Sequence, residues 1–429
     1  RRGAAVDPEA FGSVRVPVPA DREALAHFEP LVAAARGTVA VAVVGEVPDR
    51  PERWTPPTGD RPEPELGLAT LDRLPDRRRS RWSFSAIVDH GSVGRFDPQD
   101  ASLADRGAGD EQEPADPDRE AGGPGFTPPP AGPDATAAEV GVPSSPLADL
   151  PAGTAFGTMV HAVLEEVDFH SDRLAEELEE AVERQLRWRS VDLTPVIPAG
   201  TSDGQGRALL IAGLRAAIET PLGGVCGGVR LADIGPGDRL TEVSFDLRLA
   251  DHGPPLSVRG IGAVVLDHLG ADDPLTGWAA GLAEGAIEAT VAGHLTGSID
   301  LVMRVPGGSV GPRFVVADYK TNALHPRGAP VGPADYGADR LVAAMEEHDY
   351  PLQALLYSVA LHRYLRWRVP GYRPDVHLGG IAYLFLRGMT GQGGVAGGPA
   401  GVFEWAVPPD LVVALSDLLD GRGTEGRVA

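Results

Sequence analysis

From residue 151 onward the chain alternates between two hydrophobic rhythms. Thr154–Phe169 places Phe156, Val160, Val163, Leu164 and Val167 on one face at helical spacing. A second, highly charged helix is predicted at Arg173–Trp188, and a third over Arg207–Glu219, ending before Pro221. Strands are predicted at Leu240–Leu249, Thr296–Val305 and Arg313–Tyr319. The last two flank Pro306-Gly307-Gly308, which predicts a hairpin. Helices at Tyr336–His348 and Pro351–Arg368, a strand at Gly380–Arg387 and a helix at Pro408–Leu419 complete a globular α/β pattern.

Upstream the rhythm weakens. Asp21–Arg36 reads as a helix kinked at Pro30, and Thr38–Val47 as a strand. Arg77, Arg78, Arg79 and Arg81 form a basic cluster that reads as solvated surface, although it could touch phosphate. In residues 91–150, 19 of 60 positions are Gly or Pro and acids crowd Asp97–Glu120, so too little apolar surface remains to offset ordering. The expected organisation is therefore a folded segment 1–90, a flexible, disordered acidic linker 91–150 and a catalytic-type domain 151–429.

Composition narrows the chemistry. The formal charge of −23 argues against a protein that coats nucleic acid unaided, but a metal-dependent nuclease needs carboxylates. The single cysteine, Cys226, excludes a four-cysteine iron–sulfur or zinc site within the chain. No run of 18 apolar residues and no secretory start is present, which fits a reducing cytoplasm and no membrane partner. The chain opens on Arg1, as expected for the C-terminal part of something longer. Among 38 basic residues one alone is lysine: Lys320, at the end of Val-Val-Ala-Asp-Tyr-Lys.

That position matters. Period two puts Asp318 and Lys320 on one strand face, their Cα atoms roughly 6.6 Å apart. In the partner strand, alternation sets Ile299, Leu301 and Met303 on one face and Asp300 on the other. A closed hairpin brings Asp300 opposite Asp318, and two such carboxylates repel unless a cation lies between them. Mg²⁺, a hard ion with oxygen ligands, suits that place. Lys320 can steer a water and offset charge in a transition state. An Asp-x-Lys by itself more often marks an exposed strand end. His161 lies in the first helix with Gly153 and Gly157 eight and four residues before it; alone, such a histidine is more often a surface or core residue than a ligand. Gln353 and Tyr357, four apart, share a helix face. No phosphate-binding GxxxxGK[ST] loop occurs, so the chain holds no complete ATP motor.

In order, Gly153-Thr-Ala-Phe-Gly-Thr-Met-Val-His161, Leu295-Thr-Gly-Ser-Ile-Asp300, Val316-Ala-Asp318-Tyr-Lys320 and Tyr350-Pro-Leu-Gln353-Ala-Leu-Leu-Tyr357 resemble the motifs of the RecB-family nucleases. The resemblance covers about 151–390. It implies a restriction-endonuclease-like core, a mixed central sheet flanked by helices. It implies that His161, Asp300, Asp318 and the Tyr319 carbonyl ligate one or two Mg²⁺ ions, that Lys320 is catalytic, and that Gln353 and Tyr357 form the accessory Q-x-x-x-Y motif. It further implies that residues 1–90 end a helicase region, the sole route by which ATP would enter, and that the partners are DNA (linear duplex ends and single strands) with RecC-like and RecD-like subunits. Ala250–Gly293 does not align with the family and is expected to be a surface insertion. The implied activity is Mg²⁺-dependent DNA cleavage of the exodeoxyribonuclease V type, in recombinational repair. Two alternatives stay open: a non-catalytic, RecC-like scaffold that keeps the nuclease fold, and a free-standing metal phosphoesterase.

Overall fold

A computed structural model describes residues 21–41, 80–92, 145–194, 203–250, 255–307, 311–324, 333–392 and 399–422. The chain divides into two compact units, Arg1–Leu74 and Pro75–Ala429. In the first, the described structure is helix α1 (Asp21–Ala34), which contains Pro30 and leaves Phe28 and Leu31 about half exposed. Residues 38–41 of the expected strand are not extended into a sheet, and the rest of that strand lies outside the described residues, as do Arg77–Arg79 and most of the expected linker.

The second unit is a mixed sheet between two helical layers. Its elements run β1 (Ser80–Trp82), α2 (Phe84–Ser92), α3 (Thr154–Glu166), α4 (Leu174–Trp188), α5 (Asp203–Glu219), β2 (Arg239–Arg248), β3 (Leu256–Ser257), α6 (Val258–His268), α7 (Thr276–Glu284), β4 (Thr290–Val291), β5 (Gly293–Val305), β6 (Arg313–Lys320), α8 (Ala338–Glu347), α9 (Tyr350–Arg368), α10 (Pro374–His377), β7 (Leu378–Phe385), β8 (Val402–Trp405) and α11 (Pro409–Leu419). The central strands β6 and β7 pair in parallel and are buried on both faces, which explains their near-continuous apolar sequences. One face of the sheet packs Leu301, Met303, Val315, Ala317 and Leu384 against α3, α4 and α5. The other packs Val302, Val316, Ile381, Tyr383 and Phe385 against α6 to α9 and α11.

Three sequence expectations are revised. Ser80–Trp82 pairs in parallel with Gly293–Leu295, and Phe84 and Ile87 of α2 are core residues, so 80–92 belong to the sheet unit and not with the segment before it. A short 3-10 helix, Pro146–Asp149, buries Leu147 completely, so the last residues of the expected linker are part of the fold. Ala250–Gly293 is no surface insertion: Val258, Ile261, Val265, Trp278 and Leu282 are all buried in the core. Gly262 allows close helix packing instead. A Cβ on Gly262 would stand 2.4 Å from the Ala283 nitrogen.

Strand β5 governs the geometry of the site. Along one edge it pairs with β2 from His294 to Met303. Its other edge therefore carries both remaining partners, β1 at Gly293–Leu295 and β6 at Leu301–Val305. Between them, no strand among the described residues pairs with 296–300 on that side. The alternation also slips there. Ile299 faces the α9 layer, whereas Leu301 and Met303 face the α3 layer, so the expected single face for all three does not hold. The slip coincides with Glu242, opposite Asp300 in the β2 register, whose φ of 48° is left-handed.

Candidate active site

The hairpin forms as expected, with Leu301 opposite Ala317 and Val305 opposite Arg313. One more step of this register would pair Asp300 with Asp318, but the ladder stops first. Strand β6 continues beside β7 to Lys320, while β5 bends away at the slip. Into the resulting fork Asp300 directs its carboxylate, and Oδ2 accepts the Tyr319 backbone N–H at 2.9 Å. The side chain thus replaces the missing ladder bond and sits beside the end of β6.

His161 reaches the same point from α3. Its Nε2 is 3.0 Å from the Tyr319 carbonyl oxygen and its Nδ1 is 3.4 Å from Asp300 Oδ2. Phe156, Met159, Val160, Val163 and Leu164 bury the helix face that fixes this approach.

Asp318 and Lys320 share a face, as period two requires, and their side chains are 3% exposed. Lys320 Nζ lies 2.9 Å from Asp318 Oδ2 and donates to Gln353 Oε1 at 3.4 Å. Gln353 Nε2 in turn donates to the Tyr357 hydroxyl at 3.0 Å, so both accessory residues join the lysine. Two aromatic rings complete its surroundings: Nζ stands 4.1 Å from the Tyr350 ring centre and 5.4 Å from that of Tyr383. Tyr383 also donates to Gln353 Oε1 at 2.9 Å. Sequence reading missed both tyrosines. Tyr350 was findable, three residues before Gln353 on the same helix; Tyr383 needed the parallel register that sets it beside Asp318.

Electrostatics separates the two aspartates. Burial pushes the Asp318 carboxyl up to about 7, aided by the neighbouring Asp300 carboxylate and opposed by Lys320. Burial raises Asp300 too, but His161, the Tyr319 amide and Lys320 outweigh it and hold that carboxyl below its usual range. Glu242 is a further acid that sequence reading did not single out. It lies at the cleft wall, accepts from Ser298 Oγ at 2.8 Å, and is pushed up first by desolvation and then by Asp300.

These groups lie along an open cleft of about 1070 Å³ that contains His161, Glu165, Glu242, Asp300, Asp318, Lys320, Gln353 and Tyr357. Among the described residues no three His, Cys, Asp or Glu side chains stand as a ready-made metal cage. The reason is visible: His161 is turned to Tyr319 and Asp300, and Lys320 occupies Asp318. The donor set nonetheless fits a hard divalent cation, with two carboxylates, an imidazole and a main-chain carbonyl. Asp318 Oδ2 is buried with the Lys320 ammonium 2.9 Å away as its charge partner, the position a cation would compete for.

Arg363, Arg366 and Arg368, which follow Gln353 and Tyr357 on α9, do not line the cleft. Arg363 is committed to Ser416 and, at 2.7 Å, to Asp420. Arg366 and Arg368 lie at the far end of α9, with Arg368 about 22 Å along the axis from Gln353. The guanidinium groups at the cleft belong to Arg81 and Arg189.

A mixed sheet that splits beside an Asp-x-Lys strand end, with a second aspartate on the neighbouring strand, defines a nuclease of one structural class. The chain belongs to the PD-(D/E)XK nuclease superfamily, whose family model matches residues 137–400. Within it, the chain is similar to the RecBCD enzyme subunit RecB of Mycobacterium tuberculosis, 46% identical over 285 residues, which is 65% of this chain and 24% of the relative. The same-named subunit of Mycolicibacterium smegmatis is 44% identical over 285 residues, 65% of this chain and 25% of that protein. That of Escherichia coli is 30% identical over 239 residues, 56% of this chain and 17% of that protein. The chain thus carries a RecB-like nuclease domain and spans about a quarter or less of the curated relatives it matches. No helix among the described residues is long and apolar enough to cross a membrane.

Proposed function

We propose that this centre hydrolyses DNA phosphodiester bonds with Mg²⁺, as the nuclease part of a helicase–nuclease that processes double-strand ends in recombinational repair. The observation that carries the reading is the convergence of Asp318, Lys320, Asp300 and His161 at the fork between β5 and β6, with the buried Asp318–Lys320 pair at its base. His161, Asp300, Asp318 and the Tyr319 carbonyl would hold the ion. A bound Mg²⁺ would neutralise the paired carboxylates and polarise a phosphate oxygen. Lys320 supplies the fixed positive charge that meets charge developing on the phosphate. Gln353 and the rings of Tyr350 and Tyr383 hold its ammonium in place, and Tyr357 anchors Gln353. Burial of this network keeps competing water from the lysine.

The reading extends to the rest of the enzyme by similarity to the RecB subunits. Residues preceding the sheet unit would end a helicase region, ATP would act only through that missing motor, and RecC-like and RecD-like subunits would complete a cytoplasmic complex. An acidic chain of −23 is a poor collector of DNA on its own, so delivery by such a motor suits it.

The test is cleavage of end-labelled linear duplex and single-stranded oligonucleotides by the purified chain, with and without Mg²⁺. We expect metal-dependent cutting that is lost on chelation and in Lys320→Ala. A chain that binds Mg²⁺ and DNA but never cuts, alone or when joined to its motor, would favour the docking scaffold.

A further inference from the structure

The residues above account for the floor of the cleft but not for its mouth. The floor is acidic, and its reactive pair is only 2% exposed. A phosphate must therefore descend past the walls, against a net charge of −23. Two arginines stand in its way, brought by elements from opposite helical layers. Arg81 is carried by β1 next to α2, which packs in the α9 layer, and its side chain is 61% exposed. Arg189 closes α4, which packs in the α3 layer, and is followed along the cleft wall by Ser190 and Val191.

Neither arginine is tied down strongly. Arg81 has an exposed ion pair with Asp246 at 3.5 Å, the kind that contributes little. Arg189 donates through Nε to Gln185 at 3.0 Å, another exposed contact. The residue before Arg189 is Trp188, whose side chain is 89% exposed. A large exposed ring next in sequence to a cleft arginine offers the two features that single-stranded nucleic acid uses, an aromatic face for its bases and a guanidinium for its phosphates. On the opposite wall the hydroxyls of Ser83 and Ser85 line the cleft beside Arg81 and can also donate to phosphate. Duplex DNA, stiff over about 150 base pairs, cannot bend its backbone down to residues this deep, whereas a single strand can.

We propose that Arg81 and Arg189 form a two-walled phosphate guide, with Trp188 as a base-stacking platform at its lip, that threads one DNA strand to the centre. This rests on the nuclease reading of the floor and adds residues that the reading does not use. The guide is a binding element and takes no part in the bond-breaking step.

The experiment measures binding apart from cleavage. A fluorescent oligothymidine and a duplex of equal length are titrated with the full 429-residue chain at low ionic strength, with chelator present, and anisotropy is read. The unmodified chain should prefer the single strand. Arg81→Ala and Arg189→Ala should each weaken it several-fold and each reduce the salt dependence by about one counterion. Trp188→Ala should weaken it roughly 5- to 160-fold, the range for one stacked base. All three positions are exposed, so circular dichroism should be unchanged. Equal affinity for duplex and single strand, no binding by the unmodified chain, or binding that the triple variant retains in full would overturn the guide. Loss of cleavage with this binding pattern intact would instead count against the proposed chemistry and leave the guide standing.

Discussion

Arg387 offers the sharpest test of how the active centre is held. It is 1% exposed and its guanidinium donates to four carbonyls: Thr321 at 2.6 Å, and Leu147, Leu150 and Pro151 at 2.7 Å each. Thr321 follows Lys320 directly, and Pro151 leads into the helix that carries His161, so one side chain fastens both arms of the site. A planar fork with five donors suits this task and a lysine does not. Consider Arg387→Met, which keeps much of the volume. Leu147 O retains the Leu150 N–H, so three carbonyls lose their donor. A stranded buried acceptor costs about 1–3 kcal/mol, giving roughly 3–9 kcal/mol in sum. Water can reach Pro151, which is only partly buried, and we expect about 3–5 kcal/mol in practice. At a urea dependence of about 1–3 kcal/mol per molar, the midpoint of the sheet unit should fall by about 1 M or more. Hydrogen exchange should quicken first at the amides of Ala148 and Leu150. A variant of normal circular dichroism whose midpoint moves by less than about 0.2 M would refute this account of the arginine.

Three further outcomes follow from the geometry. Asp300→Asn and Asp318→Asn should each weaken Mg²⁺ binding in calorimetric titration, and unchanged affinity in both would remove them as ligands. Glu242→Gly should relieve the left-handed backbone and raise stability by up to about 1 kcal/mol while cleavage falls, whereas Glu242→Gln keeps the strain and loses only the charge; unfolding curves and rates together decide it. His362 is buried against Tyr372, and burial followed by Arg366 and Arg363 drives it down to about 4 from an ordinary 6.5. Its folded value is depressed, so the unfolded chain takes up a proton first; stability is full above 6.5 and is lost as pH falls from there towards 4. His362→Gln should flatten that slope in urea midpoints taken across the interval.

Much of the centre was legible because it obeys local periods. Two residues apart on a strand, Asp318 and Lys320 had to share a face; four apart on a helix, Gln353 and Tyr357 had to meet. The two strands expected to form the hairpin pair in the register that points Asp300 at Asp318, and the ladder ends one step short of them. What escaped depends on contacts without a local signature. Three residues, Ser80–Trp82, pair with a strand more than two hundred positions away. The slip at Asp300 arises between two strands, so alternation along β5 alone misassigned Ile299. The helices α6 and α7 are rich in Gly and Ala, which reads as loop until Gly262 is seen against the Ala283 backbone. Of the guanidinium groups at the cleft, Arg81 stood out in the sequence as part of a basic cluster but Arg189 did not: neighbours of Gln353 in sequence run away from it along α9, and those near it in space come from elsewhere.

The solitary lysine also makes the chain unusually addressable. Within these 429 residues the ε-amine of Lys320 is the one side-chain amine, so an amine-selective reagent has a single side-chain target, the α-amino group aside. That target is 2% exposed and enclosed by two tyrosine rings. Reductive methylation with an isotopically labelled aldehyde would therefore proceed only as fast as the β5–β6 fork opens, and would leave one resonance from the heart of the site. Its rate would time the breathing of the fork, and its chemical shift would report on whatever cation or phosphate comes to rest beside it.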